Sequence, residues 1–245
     1  MKRELGVMML LSAVLLTGCG SESATVIQGS GESTSKQVTT QPEQDIDVKG
    51  IGASQNEKVK LYATTDGLRM DINGIEEDFD WKFPGDTGTN PQVNYTDLTG
   101  DGKEEAIIII QTGKGTGLNN YDIHVVNAED FSEIKVQNYE DIVADQIDSH
   151  VAKNGDGTLA ITVKTQGKEY NFNFDYDPAP DYKQEELAFG GVVIYTLENQ
   201  KIKLNLSGSV GISPEYVCDF NITYKYDSAK NEFVADQIEV KPIEI

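Results

Sequence analysis

The chain has 245 residues, and its 41 Asp and Glu residues outnumber its 20 Lys and Arg residues, giving a formal net charge of −21. This charge argues against nucleic-acid binding, because phosphates require a basic surface, and against docking on anionic lipid head groups. It is typical of an exposed, soluble domain with spare carboxylates for cations.

The first residues have the organisation of a bacterial signal peptide. Lys2 and Arg3 give a charged start, and the stretch from Leu5 to Leu16 is apolar apart from Gly6 and Ser12. A helix that spans a bilayer needs about 20 apolar residues, so this stretch is too short to be one.

The signal-like stretch ends in Leu16-Thr17-Gly18-Cys19, an aliphatic residue and two small residues before a cysteine. This run resembles the lipobox of bacterial lipoproteins. The resemblance implies removal of a signal peptide (residues 1–18), lipidation of Cys19, and anchoring to the outer face of the bacterial cell membrane with the domain extracytoplasmic. Multiple acylation would make that anchor stable. The alternative is an ordinary signal peptide whose cysteine lies near the cut by chance, or an uncleaved anchor.

Residues 19–55 are predicted to form the lipidated cysteine and a disordered tether. From Gly20 to Gln55 the chain is rich in Ser, Thr, Gln, Gly and Glu and contains no aromatic residue. Such a segment cannot bury enough apolar surface to offset its ordering entropy. Because every aromatic residue lies from Tyr62 onward, we predict one folded domain over residues 56–245.

The dominant hydrophobic period in this domain is two, which is typical of half-buried strands. Aromatic or aliphatic residues alternate with polar residues in three runs: residues 79–83, 170–176 and 220–226. Ile107–Ile110 is a continuous apolar run, as in a strand covered on both faces. Only residues 138–147 indicate a short helix.

Turn-forming residues separate the predicted strands. They are Thr65-Asp66-Gly67, Asn154-Gly155-Asp156-Gly157, Glu198-Asn199-Gln200 and Asp227-Ser228-Ala229-Lys230-Asn231. These segments predict hairpins between neighbouring strands. The expected fold is therefore all-β with antiparallel sheets, either β-propeller-like or a β-sandwich.

One acidic loop, Asp97-Leu98-Thr99-Gly100-Asp101-Gly102-Lys103-Glu104-Glu105, directly precedes the buried run. Oxygen donors at its first, third and fifth places can converge on one point, because the intervening glycines allow tight bends. Those donors are the side chains of Asp97, Thr99 and Asp101. The backbone carbonyl of Lys103 and the carboxylate of Glu105 would complete an oxygen shell of the kind that Ca²⁺ prefers.

The loop and the strand after it resemble the FG-GAP or VCBS repeat of integrin-like β-propellers, over residues 93–127. The resemblance implies a calcium site with the ligands Asp97, Thr99, Asp101, Lys103 (backbone) and Glu105. Thr99 departs from the pattern, because Asp or Asn usually takes the third place, and the loop occurs once. The alternative is a turn without metal, in which side chains bond to the local backbone.

Other candidate residues have simpler structural interpretations. Gly113–Gly117 lacks the order of a phosphate-binding loop and is expected to be a hairpin loop. If this loop contacts a ligand, Lys114 would be the charged contact. His124 is expected to face solvent or a neighbouring strand, and His150 has no ligand partner at a metal spacing. Cys218 is expected to be a buried, unpaired thiol.

The aromatic run of Phe79, Trp81 and Phe83 would suit a sugar platform, but core packing is the simpler expectation. Acidic pairs are abundant in so acidic a chain, so they are weak support for acid/base catalysis.

Three functions follow from these features. The first is a non-enzymatic lipoprotein that is anchored to the membrane through Cys19 and whose calcium-stabilised β-domain binds or scaffolds an envelope protein or glycan. The second is a hydrolase of envelope polymers that uses carboxylates or the bound metal. The third is a transporter's substrate-binding lipoprotein, which the missing helices disfavour. We expect the first, with no enzyme activity and no nucleic-acid partner.

Overall fold

Fifteen strands and one helix make up the described part of the chain, which comprises residues 49–85, 87–176 and 182–243 of a computed structural model. The strands are β1 (Lys49–Ala53), β2 (Val59–Ala63), β3 (Leu68–Ile72), β4 (Ile75–Phe79), β5 (Gln92–Thr96), β6 (Glu105–Gly115), β7 (Leu118–Asn127), β8 (Glu133–Val136), β9 (Ile147–Lys153), β10 (Leu159–Thr165), β11 (Lys168–Phe174), β12 (Val192–Glu198), β13 (Lys201–Val210), β14 (Glu215–Asp227) and β15 (Glu232–Pro242). The helix α1 (Tyr139–Gln146) lies between β8 and β9.

The prediction of an all-β fold is confirmed. Strands β1 to β4 form a four-stranded antiparallel meander, and β9 to β11 form a three-stranded sheet. The remaining strands form an eight-stranded sheet in the order β12-β13-β14-β15-β8-β7-β6-β5. A β-sandwich is compatible with these sheets. A propeller is not confirmed, because it would repeat four-stranded blades and only one four-stranded sheet lies among the described strands.

The eight-stranded sheet is mixed, since β15 pairs with β8 and β12 pairs with β7 in parallel. The pairing of β12 with β7 also joins the first strand of the sheet to its sixth. As a result, β12, β13, β14, β15, β8 and β7 form a closed ring. Strands β6 and β5 extend from the other edge of β7.

Strand β6 lies between two hydrophobic cores. Ile107 and Ile109 belong to the larger core, which also contains β10, β13 and β14 side chains. Ile108 and Ile110 belong to the smaller core under β1 to β3. All four isoleucines are at most 1% exposed, so the prediction of a strand covered on both faces is confirmed. The alternation follows from the period of two in a strand.

All four predicted hairpins are present between the expected strands: β2 and β3, β9 and β10, β12 and β13, and β14 and β15. The predicted short helix is also present. Asn138 caps α1, because its Oδ1 accepts a hydrogen bond from the backbone N–H of Asp141 at 2.7 Å. In the part of the chain that the structure describes, no helix combines the length and apolarity of a membrane span.

Two boundaries differ from the sequence predictions. Strand β1 lies inside the segment predicted as tether, residues 19–55, and pairs with β2. Its Lys-Gly-Ile-Gly-Ala sequence carries a single large apolar residue, Ile51, which gives little strand signal. The run of Phe79, Trp81 and Phe83 is also not one strand, because β4 ends at Phe79. Trp81 is nonetheless buried in the smaller core, as the core interpretation predicted.

Candidate functional site

The acidic loop connects β5 to β6 at one end of the eight-stranded sheet. Thr96 and Glu105 are paired across these two strands, so residues 97–104 form a closed loop between paired ends. The segment resembling the repeat, residues 93–127, consists of β5, this loop, β6 and β7. These three strands are antiparallel neighbours in chain order. The loop is therefore held between β5 and the largely buried strand β6.

Asp97 organises the loop through its carboxylate. Its Oδ1 accepts a hydrogen bond from the backbone N–H of Gly100 at 2.7 Å, and its Oδ2 accepts one from that of Gly102 at 3.0 Å. Both glycines have positive φ, of 80° and 89°, a region that glycine enters without steric cost. The backbone conformation at these two bends is therefore the reason that they require glycine.

Glu105 is the buried member of the loop, with only 1% of its surface exposed. Its Oε2 accepts hydrogen bonds from the backbone N–H groups of Leu98 at 2.7 Å and Thr99 at 3.2 Å. The Thr99 hydroxyl lies 3.3 Å from Oε1. Burial raises the pKa of the Glu105 carboxyl above its ordinary value, and the Asp101 carboxylate adds to this rise while the Leu98 and Thr99 N–H groups oppose it.

The basic side chain of the loop points to a different partner. Nζ of Lys103 forms a salt bridge with Glu129, on the loop that follows β7. This contact raises the pKa of Lys103. The backbone N–H of Lys103 bonds to Oδ1 of Asp101 at 2.9 Å. No salt bridge among the described residues neutralises Asp97, Asp101 or Glu105.

The predicted ligands are thus neighbours in one loop, but they are not a preassembled metal site. Within the described ranges, no three His, Cys, Asp or Glu side chains are gathered closely enough to hold a metal ion. The hydrogen bonds of Asp97 and Glu105 do not exhaust these carboxylates, since an ionised carboxylate has about four acceptor positions. The donor set of carboxylates, a hydroxyl and a backbone carbonyl fits a hard cation such as Ca²⁺.

Cys19 and the predicted signal peptide lie outside the described residues, and so does the tether up to residue 48. The other cysteine, Cys218, is free and fully buried in β14, as predicted. Burial raises the pKa of its thiol to about 12. A thiol in this environment is a packing residue, because nucleophilic cysteines have lowered pKa values.

The two histidines have different environments. His124 stacks on Trp81 and contacts Glu133, so it faces neighbouring side chains. His150 is exposed in β9, opposite Thr162. The glycine-rich segment 113–117 is the end of the β6–β7 hairpin, and the turn is tighter than the sequence suggested because β6 continues to Gly115 and β7 begins at Leu118. There Lys114 Nζ lies 3.5 Å from the backbone carbonyl of Thr87.

Comparisons of the chain with protein families, with curated proteins and with solved structures found no match.

Proposed function

We propose that the protein is a lipoprotein, anchored to the outer face of the bacterial cell membrane through Cys19, whose β-domain is a calcium-stabilised binding or scaffold module of the cell envelope. The support for the anchor is the agreement of the charged start, the short apolar stretch and Leu16-Thr17-Gly18-Cys19. The strongly acidic domain is repelled by anionic lipid head groups, so the lipid provides the attachment.

The observation that carries the calcium proposal is the buried carboxylate of Glu105 beside Asp101, without a basic partner among the described residues. A buried charge is costly unless it is paired or coordinates a metal. A divalent cation between Asp97, Asp101 and Glu105 would neutralise this charge. It would also join the loop to β6, so binding would stabilise the whole domain.

Calcium binding requires the carboxylates of Asp97, Asp101 and Glu105 to move closer together than they lie in this structure. Asp101 is exposed and its carboxylate bonds only locally, to the N–H of Lys103. The glycines at 100 and 102 leave open space where a Cβ would stand. We infer that Asp101 closes onto the cation while Asp97 and Glu105 keep their backbone hydrogen bonds.

The test is a calcium titration followed by calorimetry and thermal unfolding of the chain carrying Cys19→Ser, which keeps it in solution. Calcium should raise the melting temperature, and Asp101→Ala should abolish that rise. The matched control is Asp156→Ala. Asp156 is also an exposed turn aspartate, bonded to the N–H of Thr158 two residues later, so its loss should leave the calcium response intact.

Two results would overturn the calcium proposal. One is an unchanged melting temperature at millimolar calcium. The other is an equal response in the Asp101→Ala and Asp156→Ala variants, which would indicate diffuse attraction of cations to an acidic protein. Magnesium should be less effective than calcium, because it demands stricter octahedral geometry and retains its waters.

A further inference from the structure

The ring of six strands has a split beside β7. On the edge of β7 opposite β6, Asn119 and Asn120 pair with β12, and Val125 and Val126 pair with β8. The segment between them, residues 121–124, belongs to neither ladder. Strands β8 and β12 therefore separate along this edge, and α1 begins close to the gap.

A cleft with a volume of about 380 Å³ occupies this split. This volume lies in the range of small-molecule pockets. Three tyrosines line it: Tyr121 on β7, Tyr139 at the start of α1 and Tyr195 on β12. The cleft thus draws its walls from five elements of the fold, which are β6, β7, β8, α1 and β12.

The tyrosines are held in place by contacts at the base and rim of the cleft. Tyr195 is only 5% exposed and its ring lies 6.3 Å from that of Tyr224. Tyr224 donates a hydrogen bond to the carbonyl of Gln137 at 2.9 Å. Tyr139 reaches across to the segment before β12, where a Cβ placed on Gly190 would be 2.8 Å from its hydroxyl. Any side chain at Gly190 would displace Tyr139.

The charge of the cleft is negative. Asp122 and Glu140 line it, and no lysine or arginine does. Neither carboxylate forms a salt bridge with a described residue. Burial, followed by these two carboxylates, raises the pKa of Tyr139, and burial is also the main reason that the pKa of Tyr195 rises to about 12. Both carboxylates therefore lie close enough to the tyrosines for their charges to be felt.

Asn120 adds an acceptor without a partner. Its Nδ2 donates to the carbonyl of Gly190 at 2.8 Å, which fixes the amide. Its Oδ1 is buried and has no hydrogen-bond partner. A buried acceptor left without a donor is destabilising. Asn120 lines the cleft, so an N–H donor that entered it would satisfy this acceptor after a small movement of the groups that cover the oxygen.

We propose that this cleft binds an organic ammonium group, such as the amine of a lysine side chain or of a free diamine. Aromatic faces attract cations, the two carboxylates supply the opposite charge, and the Asn120 oxygen accepts an N–H. The proposal names the ligand class of the binding module, and in that sense it rests on the proposed function. The tyrosines would contact the aliphatic chain next to the ammonium.

The test measures binding of N-acetyl-lysine methylamide by calorimetry, using the chain with Cys19→Ser. N-acetyl-norleucine methylamide has a side chain of similar length and no charge, and it should bind at least about tenfold more weakly because the ionic contacts are lost. Cadaverine identifies the source of the amine. Tighter binding of cadaverine assigns the site to free amines, and tighter binding of the lysine derivative assigns it to peptides.

The variant is Asp122→Asn with Glu140→Gln, which keeps shape and removes both charges. It should weaken binding of the lysine derivative at least about tenfold. The control is Asp145→Asn with Glu77→Gln, which removes equal charge from elsewhere on α1 and from β4 and should leave the affinity unchanged. Both pairs are exposed, and unchanged melting temperatures would establish that the fold is intact.

Three outcomes would overturn the proposal: no binding of either amine, equal binding of the norleucine analogue, or equal weakening by the two variant pairs. The last would mean attraction to the overall negative charge. These outcomes are independent of calcium, because the acidic loop contributes no residue to the cleft. A chain that responds to calcium but binds no amine would therefore disprove the cleft site and leave the proposed module in place.

Discussion

The indole ring of Trp81 stacks on the imidazole ring of His124, with centroids 4.0 Å apart and an interplanar angle of 13°. Phe79 stacks on the same indole at 4.1 Å. Trp81 thereby brings the chain after β4 against β7. His124 Nδ1 also lies 3.0 Å from Oε1 of Glu133 on β8.

The first prediction concerns the pH dependence of stability. Burial lowers the pKa of His124 below its ordinary value of 6.5, against the opposing effect of Glu133. Folding therefore disfavours the protonated form, and the stability present above pH 6.5 is lost as the pH falls toward the lowered pKa. His124→Phe keeps a ring for the stack but cannot titrate, so its melting temperature should fall less on acidification.

Melting curves between about pH 7.5 and 5 would measure this difference, since histidine titrates in that window. The control is His150→Phe, which makes the same substitution at an exposed position in β9. If the melting temperatures of His124→Phe and the wild type fell equally on acidification, protonation of His124 would not be a cause of the loss of stability.

The second prediction concerns Glu105 and separates its effect on calcium binding from its effect on folding stability. The raised pKa of Glu105 means that its deprotonation costs stability in the absence of metal, because stability is greatest below the unfolded pKa and falls as pH rises. Glu105→Gln imitates the protonated form. In EDTA it should melt at or above the wild-type temperature, while the rise caused by calcium disappears.

Thermal unfolding of both proteins with and without calcium gives the comparison. A Glu105→Gln variant that still gained the full calcium increment would exclude Glu105 as a ligand. A large destabilisation in EDTA would instead mean that the ionised carboxylate is needed for the bonds to Leu98 and Thr99.

The third prediction concerns packing at Gly208 in β13. A Cβ there would stand 3.0 Å from Cδ1 of Leu187, 3.3 Å from Cε2 of Phe220 and 3.4 Å from Sγ of Cys218. Because the space beside Gly208 is already filled, Gly208→Ala should lower the free energy of unfolding by about 1–3 kcal/mol. Denaturant unfolding would measure the loss.

Gly155→Ala is the matched control, since a Cβ at this turn glycine meets no atom within 4 Å. It should change the free energy of unfolding by less than about 0.5 kcal/mol. Equal effects at the two positions would show that the space around Gly208 does not determine the cost.

The fold class could be predicted because local patterns and tertiary burial agree in most strands. In β14 the residues Phe220, Ile222 and Tyr224 face the core, and the intervening residues are more exposed, as alternation requires. The Asn73-Gly74 turn between β3 and β4 was not predicted from the sequence. Both residues have positive φ in the structure. This dipeptide is a strong hairpin signal.

Other features depend on contacts that a sequence pattern does not contain. The closed ring requires Val192 and Val193 to meet Asn119 and Asn120, more than seventy positions earlier. The cleft beside β7 follows from that pairing, so neither Tyr195 nor Asp122 stood out in the sequence. The acidic loop could be predicted from the sequence, because its oxygen donors and glycines all lie within the short segment 97–105.

The most direct test of the central claim is metabolic labelling of the full chain in a bacterial host with a clickable fatty acid, followed by membrane fractionation. The account predicts label and membrane association in the wild type and in Cys218→Ser, and loss of both in Cys19→Ser. Cys218 is a suitable control because it is buried and free. An unlabelled wild-type chain, or label that persists in Cys19→Ser, would contradict the proposal that this protein is a lipoprotein anchored through Cys19.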